Sequence, residues 1–435
     1  MTHLLAIPAL AGLLAMPSAT GSPAIAPVDA LYPDLAALYQ DLHRSPELSR
    51  HEDKTSAKIA ERLRALGYEV TDHVGGFGVV AVMKNGKGPT LLMRADMDAL
   101  PVEEKTGLPY ASHVTPKNDA GETVPVMHAC GHDVHMTSLV GAATLLARAK
   151  KLWRGTLVLV GQPAEEGGPG ASAMLADGFL TRFPKPDVAI ALHDDNRLPA
   201  GQIGYAPGFA YANSDTVAIT MYGRGGHGST PQNTVDPIVL AARTVLALQT
   251  IVSRENNPLD AAVVTVGTIH GGTKSNIIPD EVKLQLTVRT YSDAARRRIL
   301  AAIERIAKGE AAAAGAPREP RVQIDSGFGA LYNDPTLTRR VANAFAAAFG
   351  PARVKELPPI MASEDFGEFG RAANVPYLEF WLGAIPPAKF DAVHGDTTKL
   401  PGLHSSEWAP DPELTLKTGA AALTIAAIEL LPARR

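Results

Sequence analysis

At 435 residues the chain is too long for one ordinary core, which points to two or three domains. Hydrophobic residues at 46 % and charged residues at 20 % exclude a largely disordered chain, and a formal net charge of −4 excludes a basic field that would invite nucleic acid. The single cysteine, Cys130, excludes an intramolecular disulfide.

Leu4 to Met16 is an apolar run of h-region length, with Ser22-Pro23-Ala24 and Ala24-Ile25-Ala26 as imperfect cleavage candidates and no Lys or Arg ahead of it. Residues 1–26 are read as a signal peptide, with export to a periplasm or the cell exterior as the expectation. The alternative is an N-terminal extension on a cytoplasmic enzyme. The run is shorter than the roughly 20 residues a membrane helix needs. No other stretch is read as a span, and no membrane insertion is expected.

Residues 31–66 predict helix, with Leu35, Leu38, Leu42 and then Ile59, Leu63, Leu66 at helical spacing. Ser45-Pro46-Glu47-Leu48-Ser49 breaks the run and Gly67 stops its second half. Val79–Met83 and Leu91–Met93, separated by Asn85-Gly86-Lys87-Gly88, predict a hairpin. Thr137–Ala149 predicts a buried helix, and Thr156–Val160 and Val188–Leu192 predict strands that end at Gly161 and His193. Strands alternating with helices point to an α/β sheet, with polar clusters just past strand ends: Asp96 and Asp98, Glu165 and Glu166, His193.

After about Tyr205 the pattern changes. Thr216–Tyr222 is a strand, Asp236–Val252 a helix, Ala262–Ile269 and Val282–Thr290 strands, and Ser292–Ala314 a charged helix. This β-α-β-β-α order suits a small α+β domain with one covered sheet face, left at Pro317 to Pro320. Helix Thr336–Phe349 and strand Pro376–Leu382 return to α/β character. The expected organisation is a catalytic domain over 30–205 and 322–435, interrupted by an inserted domain over 206–321.

Within this frame, His128-Ala129-Cys130-Gly131-His132-Asp133 is the densest chemical cluster. Thiolate and imidazole are the commonest zinc ligands, and Gly131 allows the tight loop that would aim Cys130 and His132 together. On its own Cys130 could equally be a buried small hydrophobe. In Gln162-Pro163-Ala164-Glu165-Glu166 two adjacent carboxylates point opposite ways on an extended chain, so one can bind metal while the other works as acid and base on a water. The plain alternative is a solvated acidic turn. On its own, His193 at a strand end is more often a satisfied core or cap residue than a ligand, and His404 reads as a surface loop histidine. His227 in Arg224-Gly225-Gly226-His227-Gly228 suits a reach toward a substrate carbonyl, and the P-loop spacing is lacking. Arg289 could clamp a carboxylate or be an ordinary strand-end charge.

Taken in order, these segments resemble the M20 metallopeptidase family, and within it the amidohydrolase branch of hippurate, N-acyl-amino-acid and auxin-conjugate hydrolases. The matching stretches are Arg94 to Pro101, His128 to His135, Gln162 to Gly168, Gly223 to Pro231, Ser275 to Asp280, Met361 to Phe366 and His404-Ser405, spanning nearly all of the chain from about residue 35. The resemblance implies a zinc-exopeptidase-like α/β catalytic domain with an inserted ferredoxin-like α+β lid or dimerisation domain. It implies Cys130 as a thiolate bridging two divalent ions (zinc or manganese, with cobalt or nickel accepted), and His132, Glu166, His193 and His404 as the other ligands. Glu165 would be general base and acid. His227 would come from a partner subunit of a homodimer or higher homo-oligomer, and Asn276 and Arg289 would meet the substrate carboxylate. The broader family places a metal-binding His where Asp96 stands and a bridging Asp where Cys130 stands. The charged run His193-Asp194-Asp195-Asn196-Arg197 departs from relatives and leaves acyl and amino-acid preference open. The expected reaction is hydrolysis of an N-acyl amino acid. A dipeptidase or carboxypeptidase of the same fold, and a non-catalytic binder of acylated amino acids or peptides, are the rivals.

Overall fold

A computed structural model describes residues 27–168 and 170–433. The signal-peptide expectation for residues 1–26 lies outside the described residues. In chain order, α1 (Val28–Arg44) and α2 (Asp53–Ala65) precede β1 (Glu69–Val74), β2 (Gly78–Asn85) and β3 (Thr90–Asp96). A long loop leads to α3 (His132–Arg148), β4 (Gly155–Gln162), α4 (Gly170–Ala176), α5 (Phe179–Arg182) and β5 (Val188–Pro199). Next come β6 (Ile203–Tyr205), β7 (Gly208–Ala212), β8 (Asp215–Tyr222), β9 (Gly226–His227) and α6 (Pro237–Thr250). They are followed by β10 (Ala262–His270), β11 (Ile277–Ile278), β12 (Glu281–Thr290), α7 (Asp293–Ala313) and β13 (Arg321–Ser326). The remainder comprises β14 (Leu331–Asn333), α8 (Pro335–Phe349), β15 (Val354–Glu356), β16 (Ile360–Ser363), α9 (Gly367–Ala373), β17 (Tyr377–Ile385), α10 (Pro387–Ala392) and α11 (Pro412–Leu430).

Local chemistry sets several of these boundaries. The Asp236, Asp334 and Asp411 side chains cap α6, α8 and α11, each followed by Pro at the first helical position, where the missing N–H costs nothing. Ser292 Oγ accepts from Ala295 N to start α7.

The large sheet has eight strands in the order β1-β2-β4-β3-β5-β17-β6-β15. Its middle is parallel, β4 with β3, β3 with β5, and β5 with β17. Alternate residues of one strand feed two different cores. Leu157 and Leu159 of β4 join Leu139, Phe345 and Leu423 on one face, whereas Val158 and Val160 join Met174, Phe179 and Phe369 on the other. Helices on both faces of a largely parallel sheet are the expected α/β architecture. One detail is corrected. β2 and β3 are not a hairpin, because β4 lies between them, antiparallel to β2 and parallel to β3. A Gly-rich connection permits a turn, but it does not choose the neighbour strand. β5 also continues past His193 to Pro199 rather than stopping there.

The small sheet is wholly antiparallel, in the order β10-β12-β8-β13. Its strands alternate buried and exposed positions, and one face packs under α6 and α7 through Val217, Ile219, Leu284, Leu240, Ile299 and Ile303. The sheet runs to Ser326, past the exit expected at 321. The proline pair that reads as a boundary only introduces β13, which pairs with β8. The absence of any further stretch of membrane length is corrected too. Pro237–Glu255, α6 with its π-helical extension, is long and apolar enough by length and composition. Here Leu240, Ala241, Thr244, Leu248 and Ile251 bury part of it against the small sheet.

Candidate active site

The parallel strands β3 and β4 deliver their carboxyl ends to one edge of the large sheet, as ligand sites of open α/β folds require. β3 ends on Asp96, and the chain leaving β4 carries Glu165 and Glu166. Parallel β5 brings His193 alongside, level with Trp381 of β17. The Cys130–His132 segment enters from the loop before α3. Gly131 makes its turn in the left-handed region (φ 74°), and a Cβ there would meet Asp194 Oδ2 at 1.9 Å, so only glycine fits. His132 is the first residue of α3, and His404, whose backbone N–H donates to Ala129 O at 2.7 Å, is pinned beside the same loop.

The five residues expected to hold metal come together. Donor atoms of Cys130, His132 and His193 lie within 4.8 Å of one another, as do those of Cys130, Glu166 and His404, and those of His132, Glu165 and Glu166. Cys130 is common to two of these triads and His132 to two, so the groups overlap rather than scatter. Cys130 Sγ stands 3.6 Å from His193 Nε2, and His404 Nε2 stands 2.9 Å from Glu166 Oε1. His193 turns its other nitrogen, Nδ1, to Asp194 O at 2.7 Å, which orients the ring. Asp98 accepts from Ser49 Oγ (2.6 Å) and Glu166 N (2.9 Å) through Oδ2, with Oδ1 3.3 Å from His132 Nδ1.

The donor set fits divalent cations. Among the described residues, both ring nitrogens of His132 and Oδ1 of Asp98 are buried without a well-aligned hydrogen bond, although Oδ1 and Nδ1 face each other at 3.3 Å. Buried polar atoms left unpaired in this number need partners. Burial, and then the carboxylates of Glu166 and Glu165, push the Cys130 thiol well above its ordinary range. A thiolate among these carboxylates is stable only beside cations. Burial and the neighbouring Glu364 and Glu166 likewise raise Glu165 far above the usual carboxyl range. Glu166 moves the other way: burial opposes it, but His404 and His132 hold it below that range. Two adjacent carboxyls with opposite shifts suit opposite tasks, one exchanging a proton with water and one binding as the anion.

The residues expected from the inserted domain lie on other elements, at and between β9 and β12. β9 pairs with β11 so that His227 faces Ile277, and Gly228 N donates to Asn276 O at 2.8 Å. His227 and Asn276 are therefore neighbours, and both are exposed. Ser229 fixes the His227 ring, with Oγ 2.7 Å from Nδ1, so that Nε2 is the ring nitrogen left free of this contact. Arg289 is half-buried near the far end of β12, where it donates to Thr287 Oγ1 at 2.6 Å. The eight residue-to-residue steps from Glu281 to Arg289 span about 27 Å. The chain thus does not bring Arg289 to Asn276. Among the described residues, no hydrogen bond or ion pair joins His227 or Asn276 to the Cys130 cluster.

Three participants escaped sequence reasoning. His135 bridges Asp96 Oδ1 (2.6 Å) and Asp194 Oδ1 (3.2 Å), fully buried. Its one available signal was a position three residues after His132 on the same helix face. Asp194 stood out only as part of a charged run. Arg94, buried at 1 % exposure, pairs with Asp96 (2.6 Å), Glu364 (2.9 Å) and Asp365 (3.2 Å), and donates to Gln162 Oε1 at 2.9 Å. Nothing in a sequence distinguishes such an arginine from a surface one.

The family model described as peptidase family M20/M25/M40 matches residues 92–402. The N-acetyl-L-cysteine deacetylase of Bacillus subtilis is 38 % identical over 336 residues, which are 77 % of this chain and 77 % of that protein. The thermostable carboxypeptidase 2 of Saccharolobus solfataricus is 35 % identical over 392 residues, 89 % of this chain and 93 % of that one. Among solved structures, the Bacillus subtilis YXEP protein, described as a dinuclear metal binding peptidase from the M20 family, superposes with a TM-score of 0.73. It is 29 % identical, and the match covers 93 % of this chain and 99 % of that one. With the site on a doubly covered sheet and relatives of nearly equal length, the chain belongs to peptidase family M20/M25/M40.

Proposed function

We propose that the protein hydrolyses the amide bond of N-acyl amino acids to a carboxylic acid and a free amino acid. The observation that carries this reading is the convergence of Cys130, His132, Glu166, His193 and His404 into two donor triads that share Cys130, with the Glu165 carboxyl beside His132 and Glu166. Two divalent ions held by those five residues would supply Lewis acidity toward a water and an amide carbonyl. Thiolate softness favours zinc, with manganese, cobalt or nickel as replacements. Glu165 takes one proton from the attacking water as its oxygen bonds to the carbonyl carbon. It then passes that proton to the amide nitrogen as the C–N bond breaks. His227 Nε2, left free by the Ser229 contact, stabilises the developing oxyanion.

His227 would act on the site of a partner copy. Its exposure, the lack among the described residues of any hydrogen bond or ion pair from it to the Cys130 cluster, and the exposed Val239 and Leu246 of α6 support a homodimer. Asn276 stands with His227 and would enter the same partner site, whereas Arg289 would meet a substrate carboxylate from its own chain. The deacetylase relative favours an N-acyl substrate over a free peptide. The carboxypeptidase relative keeps an exopeptidase as the second reading. A non-catalytic binder is disfavoured, because binding alone has no use for Glu165.

The test is to assay N-acetyl and N-benzoyl amino acids beside unblocked dipeptides, with each metal added in turn. Faster turnover of acylated substrates is expected, faster dipeptide cleavage would select the exopeptidase, and no cleavage at full metal occupancy would sink both. Mixed dimers of His227→Ala and Glu165→Gln chains should recover activity that neither parent has. Confirmed heterodimers without recovery would place His227 outside the partner's site.

A further inference from the structure

Glu165 stands on a turn that its own sequence does not favour. Ala164, immediately before it, adopts φ +50°, in the left-handed region that non-glycine residues rarely enter. Such a conformation persists only where the surroundings hold it. Two buried carboxylates do so, one on each side of Glu165. Asp98 accepts from Glu166 N at 2.9 Å, and Glu52 Oε1 accepts from Ala164 N at 2.7 Å.

Glu52 comes from a distant element. It is the residue before α2, yet its side chain makes no cap to that helix. It is fully buried, its second oxygen has no hydrogen-bond partner among the described residues, and its first oxygen accepts from Ala164 N. A carboxylate serving only solubility or helix capping would not be buried there. Burial, and then Asp98, also raise its carboxyl to about 7, which marks how far this position departs from a solvated glutamate.

We infer that Glu52 is a positioning residue for the hydrolysis: by holding the Ala164 amide it keeps the strained turn closed and sets where the Glu165 carboxyl stands. This rests on the reading of Glu165 as the proton-transferring group. A displaced base slows the chemical step and leaves substrate binding and metal loading alone, because Glu166 keeps its own tether, Glu166 N to Asp98, and His227 lies on β9.

The experiment compares Glu52→Gln, Glu52→Leu and Glu165→Gln in the metal-loaded enzyme, with kcat, KM and metal content measured on an N-acetyl amino acid. Gln keeps an oxygen acceptor for Ala164 N, so Glu52→Gln should stay within about 3-fold of wild type in kcat, while Glu52→Leu should fall by about 30-fold or more with KM and metal content unchanged. Adding Ala164→Gly to Glu52→Leu should restore part of the loss, because glycine enters the left-handed region freely. Wild-type kcat in Glu52→Leu, or parallel losses of kcat and metal, would overturn the inference while an inactive Glu165→Gln left the base assignment standing. An active Glu165→Gln would remove both. If Glu52→Leu does not fold, Ala164→Val provides the decision: its β-branched side chain disfavours the same turn with Glu52 in place, and an unchanged kcat would overturn the proposal.

Discussion

The eight-stranded and four-stranded sheets of this protein are built on opposite burial patterns. Every residue of β17 in the large sheet is buried, and β3 and β4 are nearly so, whereas β12 in the small sheet alternates buried and exposed along its length. The large sheet, covered on both faces, can hold Arg94, Asp96, His132 and His135 away from water at distances set by packing. Next to the small sheet, which is covered on one face, His227 stands on a separate two-residue ladder, β9 with β11, in solvent. A group fixed by a dry surround is pre-positioned for chemistry, while a group on an exposed tip acquires its position only when another surface meets it. Substitutions should therefore cost stability and activity together in the first region, and activity alone in the second.

The largest expected effect comes from removing metal. Chelation should abolish turnover and lower Tm by several degrees, because the carboxylates around Cys130 then face one another without cations. Readdition of zinc or manganese should restore both, and an unchanged Tm in the stripped protein would break the idea of an electrostatically dependent core. Next is Arg94→Met, which leaves Asp96, Glu364 and Asp365 without their shared guanidinium. Removing one partner from a buried ionic network costs about 3–5 kcal/mol, measurable by denaturant unfolding. His227→Ala should lower kcat by about 10²–10³-fold, as loss of an oxyanion donor does, with Tm unchanged. A large Tm loss there would erase the contrast between the two regions.

The smallest effect concerns pH and sharpens the buried side of the comparison. His43 on α1 lies 2.6 Å from Asp133 and 3.1 Å from Glu104. Burial alone would lower its pKa, but the hydrogen bonds to those carboxylates outweigh burial and raise it from 6.5 to about 9. The stability from this charged state is fully present below about pH 6.5 and is lost as pH rises through about 9. At 1.36 kcal/mol per pKa unit it amounts to about 3 kcal/mol. Unfolding titrations of wild type and His43→Leu should differ in slope across that window, and equal slopes would show that His43 is not charged in the fold.

How much was legible in advance follows from the kind of information each feature carries. Cys130-x-His132 and the Glu165-Glu166 pair were visible because their residue types and spacing are chemically unusual. His193 and His404 had ordinary local contexts, and only the ordered resemblance across the chain joined them to the set. The alternating strands and capped helices of the small sheet were readable from periodicity. The neighbour of β2 was not, because periodicity reports which face is buried and not which strand lies beside it. The boundary at 321 failed for a related reason, since a proline pair marks a break in the chain without saying which sheet the next strand joins.

By itself the sequence determined the chemistry available: one thiol, the histidines and carboxylates at strand ends, and the α/β pattern that brings strand ends to one edge. Only the tertiary structure decided which of those groups share a space without water. Arg94, His135, Asp194 and Glu52 are unremarkable as letters, and their roles come from burial against partners 39 to 270 positions away in the chain. Charge and hydrogen-bond strength depend on the surrounding medium, and packing creates that medium.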